Sequence, residues 1–387
     1  RQWDDNFFIQ SSYQSKKDLR YQYLINAKYA YDFTRYLDPE RLAMGKPLDN
    51  RYTHQEAYIS FANQYQFNKF WSVSLNTDYS YQKLAANLSQ FAYPSRNTGL
   101  IALASAIVWP RFNMQANILS TFVNDVVKTN IPAGNKVVYT PTIMASWQPF
   151  SKADVRLRAF YKSIFRMPTF NDLYYTFIGN STLKPEYVKQ YDLGITHHKN
   201  LEGRFLKNIS IQTDVYFNKI SDKIVAVPTL SLFRWSMFNI DEVSITGLET
   251  NLQSAWQFGA VSAMVKLAYT YEKALDKTIS GFSYNQQIPY VPKNSGSVMF
   301  GADWRSFGIN YSYIYTGERY SQKANIRENY VPAWYTQDLA LQKNFSIKNT
   351  NYRIAAEVNN LLNQYYDVVL NYPMPGRNFR LTLNANF

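Results

Sequence analysis

The sequence predicts an all-β chain, a transmembrane antiparallel β-barrel that crosses its bilayer with strands, and three observations carry that expectation. Apolar and polar residues alternate with a period of two over many segments. These segments exceed the usual strand of about 5–6 residues and reach the roughly 9–11 needed to cross a bilayer at a tilt. Short connections alternate with long ones, the asymmetry of a barrel with tight turns on one side and long loops on the other.

Seventeen segments qualify in chain order: 3–14, 20–34, 51–67, 69–82, 98–109, 111–125, 136–149, 152–165, 187–198, 206–220, 240–257, 260–274, 290–303, 305–317, 332–345, 351–359 and 377–387. In 152–165, Val155, Leu157, Ala159 and Tyr161 share one face, and Asp154, Arg156, Arg158 and Lys162 the other, with Phe160 the exception. In 206–220, Ile209, Ile211, Val215 and Phe217 oppose Ser210, Gln212, Asp214 and Asn218. The last segment sets Phe379, Leu381, Leu383, Ala385 and Phe387 against Asn378, Arg380, Thr382, Asn384 and Asn386. The short connections are Ser15 to Leu19, Asn68, Pro110, Ser151 and Trp304; the long ones are Tyr36 to Asn50, Lys83 to Asn97, Arg166 to Glu186, Ser221 to Asn239 and Glu318 to Val331. Tyr29, Tyr31 and Phe33, Tyr79 and Tyr81, Tyr269 and Tyr271, and Tyr311, Tyr313 and Tyr315 sit on apolar faces just before long connections, where an interfacial aromatic girdle belongs. Of the 15 prolines only Pro141 falls well inside a segment, where it removes a ladder hydrogen bond.

Composition excludes the rival classes. No apolar run approaches the 18 or so residues of a membrane helix, the longest, Ile101 to Val108, being broken by Ser105. With 46% hydrophobic and 17% aromatic residues the chain is far from the signature of disorder. Zero cysteines remove disulfides, Cys-ligated zinc, iron–sulfur clusters and thiol nucleophiles together. The net charge of +13 has no basic cluster or recognition helix behind it, so no nucleic-acid partner is expected; contact of Lys and Arg near the outer girdle with lipopolysaccharide phosphates accounts for it. Asp38, Glu40 and Asp49 fit no calcium-loop spacing, and no metal or cofactor is expected. The chain begins at Arg1 with neither an initiator Met nor a signal-like region before Asn26, the pattern of a mature form or a fragment. An odd number of strands cannot close a bacterial single-chain barrel, so strands are expected beyond this sequence.

One segment is distinctive: Phe165-Arg166-Met167-Pro168-Thr169-Phe170-Asn171-Asp172-Leu173-Tyr174-Tyr175, followed by Gly179-Asn180, Leu183-Lys184-Pro185-Glu186 and Tyr191-Asp192-Leu193-Gly194. With Val243-Ser244-Ile245-Thr246-Gly247-Leu248-Glu249, Val358-Asn359-Asn360-Leu361-Leu362-Asn363, Tyr372-Pro373-Met374-Pro375-Gly376-Arg377 and the terminal Phe387, it resembles the barrel of TonB-dependent outer-membrane receptors from about Lys152 onward. Such barrels have about 22 strands around a plugged lumen. The resemblance therefore implies that residues 1–387 are the C-terminal part of the barrel, strands six to twenty-two, with the plug and the first five or so strands outside this sequence. The long motif then lies in the seventh extracellular loop.

The resemblance implies TonB-dependent import of a large, scarce nutrient across the bacterial outer membrane, and no enzymatic activity. The Phe-Arg-x-Pro-Thr-Phe-Asn-Asp-Leu-Tyr-Tyr pattern, with Asp222 to Ala226 and Arg234-Trp235, is most similar to cobalamin receptors of Bacteroidetes-type bacteria. Receptors for ferric catecholate siderophores come next. Haem is demoted, because no His lies between the boxes Phe165 to Pro168 and Asn180 to Leu183. A passive porin would not carry the receptor motif. An outer-membrane enzyme would need a histidine at the outer rim, whereas His197 and His198 lie near a periplasmic turn and His54 has no nucleophile motif beside it. The implied partners are the TonB–ExbB–ExbD system acting through the plug, cobalamin or a ferric chelate as ligand, lipopolysaccharide, and a surface lipoprotein lid.

As substrate-binding residues the loop offers Asn171, Asp172, Tyr174, Tyr175 and Phe177, with Arg234 and Trp235 from the next long loop: hydrogen-bonding groups interleaved with flat rings, suited to a bulky amphipathic ligand. A structural role competes for the same segment, Phe165, Leu173 and Leu183 packing it while Arg166, Lys184 and Glu186 tie it down. Arg156, Arg158, Lys162, Asp192, Asp214, Lys266, Glu357 and Arg380 fall on polar faces and are expected to meet the lumen and plug.

Overall fold

The computed structural model describes residues 1–16, 20–43, 46–129, 131–175, 179–201, 203–228, 235–279, 281–348 and 350–386. Its strands are β1 (Gln2–Lys16), β2 (Tyr21–Ala43), β3 (Lys46–Asn68), β4 (Trp71–Ala86), β5 (Ser95–Trp109), β6 (Phe112–Val126), β7 (Lys136–Trp147), β8 (Asp154–Arg166), β9 (Glu186–Asn200), β10 (Leu206–Pro228), β11 (Trp235–Phe258), β12 (Val261–Asp276), β13 (Asn294–Trp304), β14 (Phe307–Thr316), β15 (Arg319–Tyr320), β16 (Tyr330–Val331), β17 (Trp334–Ile347), β18 (Thr350–Asn359), β19 (Asp367–Val369), β20 (Tyr372–Pro373) and β21 (Asn378–Asn386). A helix α1 (Phe170–Tyr174) and a 3-10 turn at Arg327–Asn329 complete the described elements. Seventeen of these strands form one sheet, and the four short ones pair as β15–β16 and β19–β20. All seventeen sequence segments are therefore strands of that sheet. Among the described residues no helix is long and apolar enough to cross a membrane.

The chain divides into two compact units, Arg1–Ala145 with Tyr161–Lys189 and Ser221–Asn239, and Ser146–Phe160 with Gln190–Ile220 and Ile240–Phe387. In the first unit β1 to β6 pair antiparallel with their sequence neighbours. Their registers put Ile59, Leu75, Ile101, Leu103 and Ile118 on one face, all exposed. The opposite face is a hydrogen-bonded lattice: Lys28 Nζ lies 2.9 Å from Glu56, Gln82 donates to Glu56 at 3.1 Å, and Gln22 to Gln64 at 2.8 Å. In the second unit β11 to β14 continue through β17, β18 and β21 by antiparallel ladders. Phe379, Leu381 and Leu383 stand exposed at 75%, 76% and 63%, while Arg380 on the other face pairs with Glu357 at 2.6 Å. Arg158 and Asp214 likewise meet at 2.6 Å. Four of the eight polar-face charges thus neutralise one another. Apolar side chains out and paired polar ones in is the arrangement a lipid-facing sheet requires.

The connections Tyr36 to Asn50 and Ser221 to Asn239 are shorter than the alternation indicates, because strands run into them. β2 and β3 keep their register through Leu37–Asp49 and Asp38–Leu48, then slip between Asp38 and Leu42. Pro39, which has no N–H to give a ladder, sits in that irregularity. Asp49 holds the extension by accepting from Arg35 at 2.8 and 2.9 Å and from Arg51 at 2.8 Å, so its carboxylate is committed to guanidinium groups. In the second unit Gly247 of the Val243–Glu249 motif lets the Tyr216 ring lie across the strand and donate to Glu272 at 2.8 Å, since a Cβ there would collide with that ring.

Candidate functional site

The distinctive loop contains a structure that period-two reading could not give: the short helix α1, whose start is fixed by its own side chains. Thr169 is the N-cap, its hydroxyl accepting from the Asp172 N–H at 3.1 Å, while the Asp172 carboxylate accepts from the Thr169 N–H at 2.9 Å. This reciprocal capping box satisfies two backbone donors that a helix end leaves open. Arg166 adds a 3.2 Å ion pair to the same carboxylate and approaches Glu186 at 3.8 Å. Past the helix the chain doubles back: the Gly179 N–H donates to Tyr175 O at 2.7 Å, and a Cβ at residue 179 would lie 2.7 Å from the backbone nitrogens of Tyr174 and Tyr175. Only glycine permits that approach.

Beneath α1, Phe170, Leu173, Tyr174 and Leu183 join Tyr52, Leu84, Ala86, Phe91, Ala92 and Ile224 in a buried apolar cluster. Leu173 and Leu183 are 2% and 4% exposed. Asn180 donates to Met237 O at 3.0 Å, and Asn239 receives the Lys184 N–H at 2.9 Å while donating to Lys184 O and Asp222 O at 3.0 and 2.7 Å. Glu186 accepts the Ile224 N–H at 2.8 Å. The structural role expected of Leu173, Leu183, Arg166, Lys184 and Glu186 is therefore visible in the contacts, Lys184 adding a 3.4 Å pair to Asp222.

Beside the cluster is a cavity of about 470 Å3 on the polar face of β2 to β5, lined by Gln2, Asp32, Thr34, Tyr36, Tyr52, His54, Gln82, Leu84, Arg96, Thr169, Phe170, Asn171 and Tyr175. Strand register assembles it. Asp32 lies opposite His54 and Thr34 opposite Tyr52, His54 opposite Leu84, and Gln82 opposite Arg96. Arg96 is locked by a two-point pair to Asp125, both bonds 2.7 Å, with side chains 10% and 2% exposed. Its guanidinium lies 5.1 Å from the centre of the Phe170 ring, joining the helix to the strands. Tyr52 and Tyr175 stack with centroids 5.5 Å apart, and His54 Nδ1 approaches Asp32 at 3.5 Å. Burial raises the Tyr175 phenol above its ordinary pKa, and burial with the nearby Asp125 charge raises that of Tyr174. Both phenols therefore stay neutral donors at physiological pH.

Of the residues expected to bind substrate, Asn171 and Tyr175 line this cavity and are exposed to it. Tyr174 is buried in the cluster, 9% exposed, and Asp172 is engaged by Thr169 and Arg166. Trp235 opens β11, half-buried, and is not among the lining residues. Phe177 and Arg234 lie outside the described residues, as do Phe233 and Phe387. Sequence reasoning missed Asp32, Tyr52, His54, Gln82 and Arg96. The available signal was their two-residue spacing on polar faces, Asp32-x-Thr34-x-Tyr36 and Tyr52-x-His54. The geometry offers a flat ring wall, a cation-supported rim and several neutral hydrogen-bonding groups; among the described residues no three His, Cys, Asp or Glu side chains group to hold a metal ion.

Compared with known proteins, residues 2–361 match the family described as TonB dependent receptor-like, beta-barrel. The chain is similar to Vitamin B12 transporter BtuB of Vibrio vulnificus strain YJ016, 28% identical over 229 residues covering 58% of this chain and 33% of that protein. It is also similar to Vitamin B12 transporter BtuB of strain CMCP6, 22% identical over 342 residues covering 85% of this chain and 49% of that protein. The chain thus spans a third to a half of the length of these curated relatives. Among solved structures it resembles the unliganded ferric citrate transporter FecA (TM-score 0.73, 13% identity, 99% of this chain and 61% of that chain) and the copper transporter OprC (0.73, 12%, 98% and 64%). The ferric preacinetobactin receptor BauA of Acinetobacter baumannii is similar at TM-score 0.69 and 13% identity, over 100% of this chain and 63% of that one. At these identities the likeness is one of fold.

Proposed function

Since this chain belongs to the TonB dependent receptor-like β-barrel family of the bacterial outer membrane, we propose that it serves active import of cobalamin or a related corrinoid. The observation that carries the reading is the cavity under α1, where the stacked Tyr52 and Tyr175 rings stand beside Asn171, His54 and Gln82. A corrinoid is a broad, flat ring system edged with amides. Arg96 is already paired with Asp125 and Asp32 faces His54, so the cavity offers a ligand ring faces and neutral donors and acceptors, which suit such a ring system. The 22–28% identity to vitamin B12 transporters supports the same choice.

In this reading Asn171 hydrogen-bonds the ligand rim and Tyr175 stacks on its face, while Asp172 and Tyr174 hold α1 in position. Phe177, Arg234 and Trp235 complete the substrate-binding set. Energy comes from TonB–ExbB–ExbD through a plug, a surface lipoprotein closes over the loops, and Lys and Arg near the outer girdle contact lipopolysaccharide. The protein transports its ligand and does no chemistry on it.

The test is absorbance-monitored equilibrium binding of cobalamin, a ferric catecholate and haem to the detergent-purified product of the complete gene. Cobalamin is expected to bind, and the pair Asn171→Ala, Tyr175→Ala to weaken it about 10-fold or more. Binding of the ferric chelate instead moves the protein to iron uptake. Binding of none, with open-pore conductance in a planar bilayer, returns the passive porin.

A further inference from the structure

The second unit has a groove of about 370 Å3 on its apolar, membrane-facing sheet surface, lined by Val261, Ala302, Trp304, Phe307, Ile309, Leu341, Lys343, Ile354 and Ala356 among others. The ladders explain its shape. Ala302 lies opposite Ile309, Ile309 opposite Leu341 and Leu341 opposite Ala356, so the small residues Ala302 and Ala356 leave low ground on either side of the Ile309 and Leu341 ridge. Trp304, Phe307, Leu341 and Ile354 flank it, 50%, 49%, 52% and 39% exposed. It ends at short turns, the periplasmic side in this architecture.

Two cations stand at that end. Lys343 lies opposite both Phe307 and Ile354, on the same face as the groove, with Nζ 5.0 Å from the centre of the Phe307 ring. Arg305, in the turn between Trp304 and Phe307, lies 5.4 Å from the Trp304 ring centre. Arg305 has φ +54, a left-handed conformation in which glycine or asparagine is the easy choice, so the turn keeps a cation at some backbone cost. The next turn also carries a cation in the left-handed region, Lys348 at φ +53. Asp303 also lines the groove, but its carboxylate turns to the opposite sheet face, where it accepts from Gln342 at 3.5 Å. An apolar trough capped by unopposed cations beside aromatic rings matches an acyl chain under an anionic headgroup.

We infer that this groove is a binding site for an anionic phospholipid of the periplasmic leaflet, one acyl chain lying over Ala302 between Trp304 and Ile309 and its phosphate held by Lys343 and Arg305. The site is independent of the ligand the receptor imports.

The experiment is native mass spectrometry of the complete receptor after equilibration with mixed micelles of phosphatidylglycerol and phosphatidylethanolamine. The unaltered protein is expected to retain phosphatidylglycerol preferentially, with a preference of about fivefold per cation. Arg305→Ser with Lys343→Ser should bring the two lipids to parity, and Ala302→Trp, which fills the furrow, should lose both. Equal retention by the unaltered protein, or an unchanged preference in the cation variant, overturns the assignment. A photoactivatable phosphatidylglycerol on the unaltered protein needs no folded variant. It should label peptides containing 302–309 and 341–356, and labelling confined to other strands contradicts the site.

Discussion

The loop cluster around α1 and the terminal strand β21 bury hydrophobicity in opposite senses. Leu173 and Leu183 are 2% and 4% exposed inside a cluster closed by hydrogen bonds, as in a water-soluble domain. Leu381 and Leu383 are 76% and 63% exposed, and the polar Arg380 is the residue with a partner, Glu357. One chain thus folds against two solvents. In water the apolar side chain must find protein, whereas in lipid the acyl chains already satisfy it and the polar group must find protein.

The most severe way to break this contrast is at the junction where a strand charge supports the loop. Arg96→Ala leaves Asp125 buried and unpaired and is expected to cost about 3–5 kcal/mol, whereas Arg96→Met with Asp125→Leu, removing both charges, should recover most of it. Urea unfolding followed by heat-modified gel migration checks both. The paired truncations Leu173→Ala and Leu381→Ala come next. The first opens a cavity and should cost about 3 kcal/mol; the second is refilled by lipid and should cost about 1 kcal/mol or less. Hydrogen exchange of the two peptides reads the difference, and equal costs would dissolve the two-solvent account. Thr169→Ala removes the helix cap and should cost about 1 kcal/mol, seen as faster proteolysis within 166–186.

The smallest effect concerns pH. The raised pKa of Tyr174 and Tyr175 in the folded loop means its stability is fully present below the unfolded tyrosine value near 10 and falls as pH rises past it. Proteolysis of the loop should therefore be flat from pH 6 to 9 and accelerate above about pH 10, an acceleration that Tyr174→Phe with Tyr175→Phe abolishes.

How much of this could be read in the sequence follows from the range of the forces involved. The spans are legible because the bilayer imposes one face on every second residue, so Phe379, Leu381 and Leu383 declare their strand unaided. Strand ends beyond the membrane are not: in 36–50 apolar residues fall on both parities, Leu37 and Ala43 against Leu42 and Leu48, and the pairing depends on Asp49 bridging Arg35 and Arg51 across the hairpin. Helix α1 is a single turn, too short to show a 3.6-residue period, although Thr169 and Asp172 carry its cap in plain spacing. Asn171 and Tyr175 were reachable because they sit inside one contiguous motif. Tyr52, His54, Gln82 and Arg96 come from three strands and meet only through register; the two-residue spacing marks a polar face within one strand but does not say which strands it will face.

The account's central claim, that the cavity under α1 receives the ligand, can be tested directly with cysteines introduced into residues 1–387, which contain none of their own. Single cysteines replacing Asn171 at the cavity and Leu381 on the lipid face would be placed in the complete protein and labelled with a water-soluble maleimide on whole cells, with and without cobalamin. The account predicts rapid labelling at residue 171 that saturating cobalamin slows about 10-fold or more, and negligible labelling at residue 381 in either condition. Labelling at residue 171 that proceeds at the same rate in saturating cobalamin would contradict it.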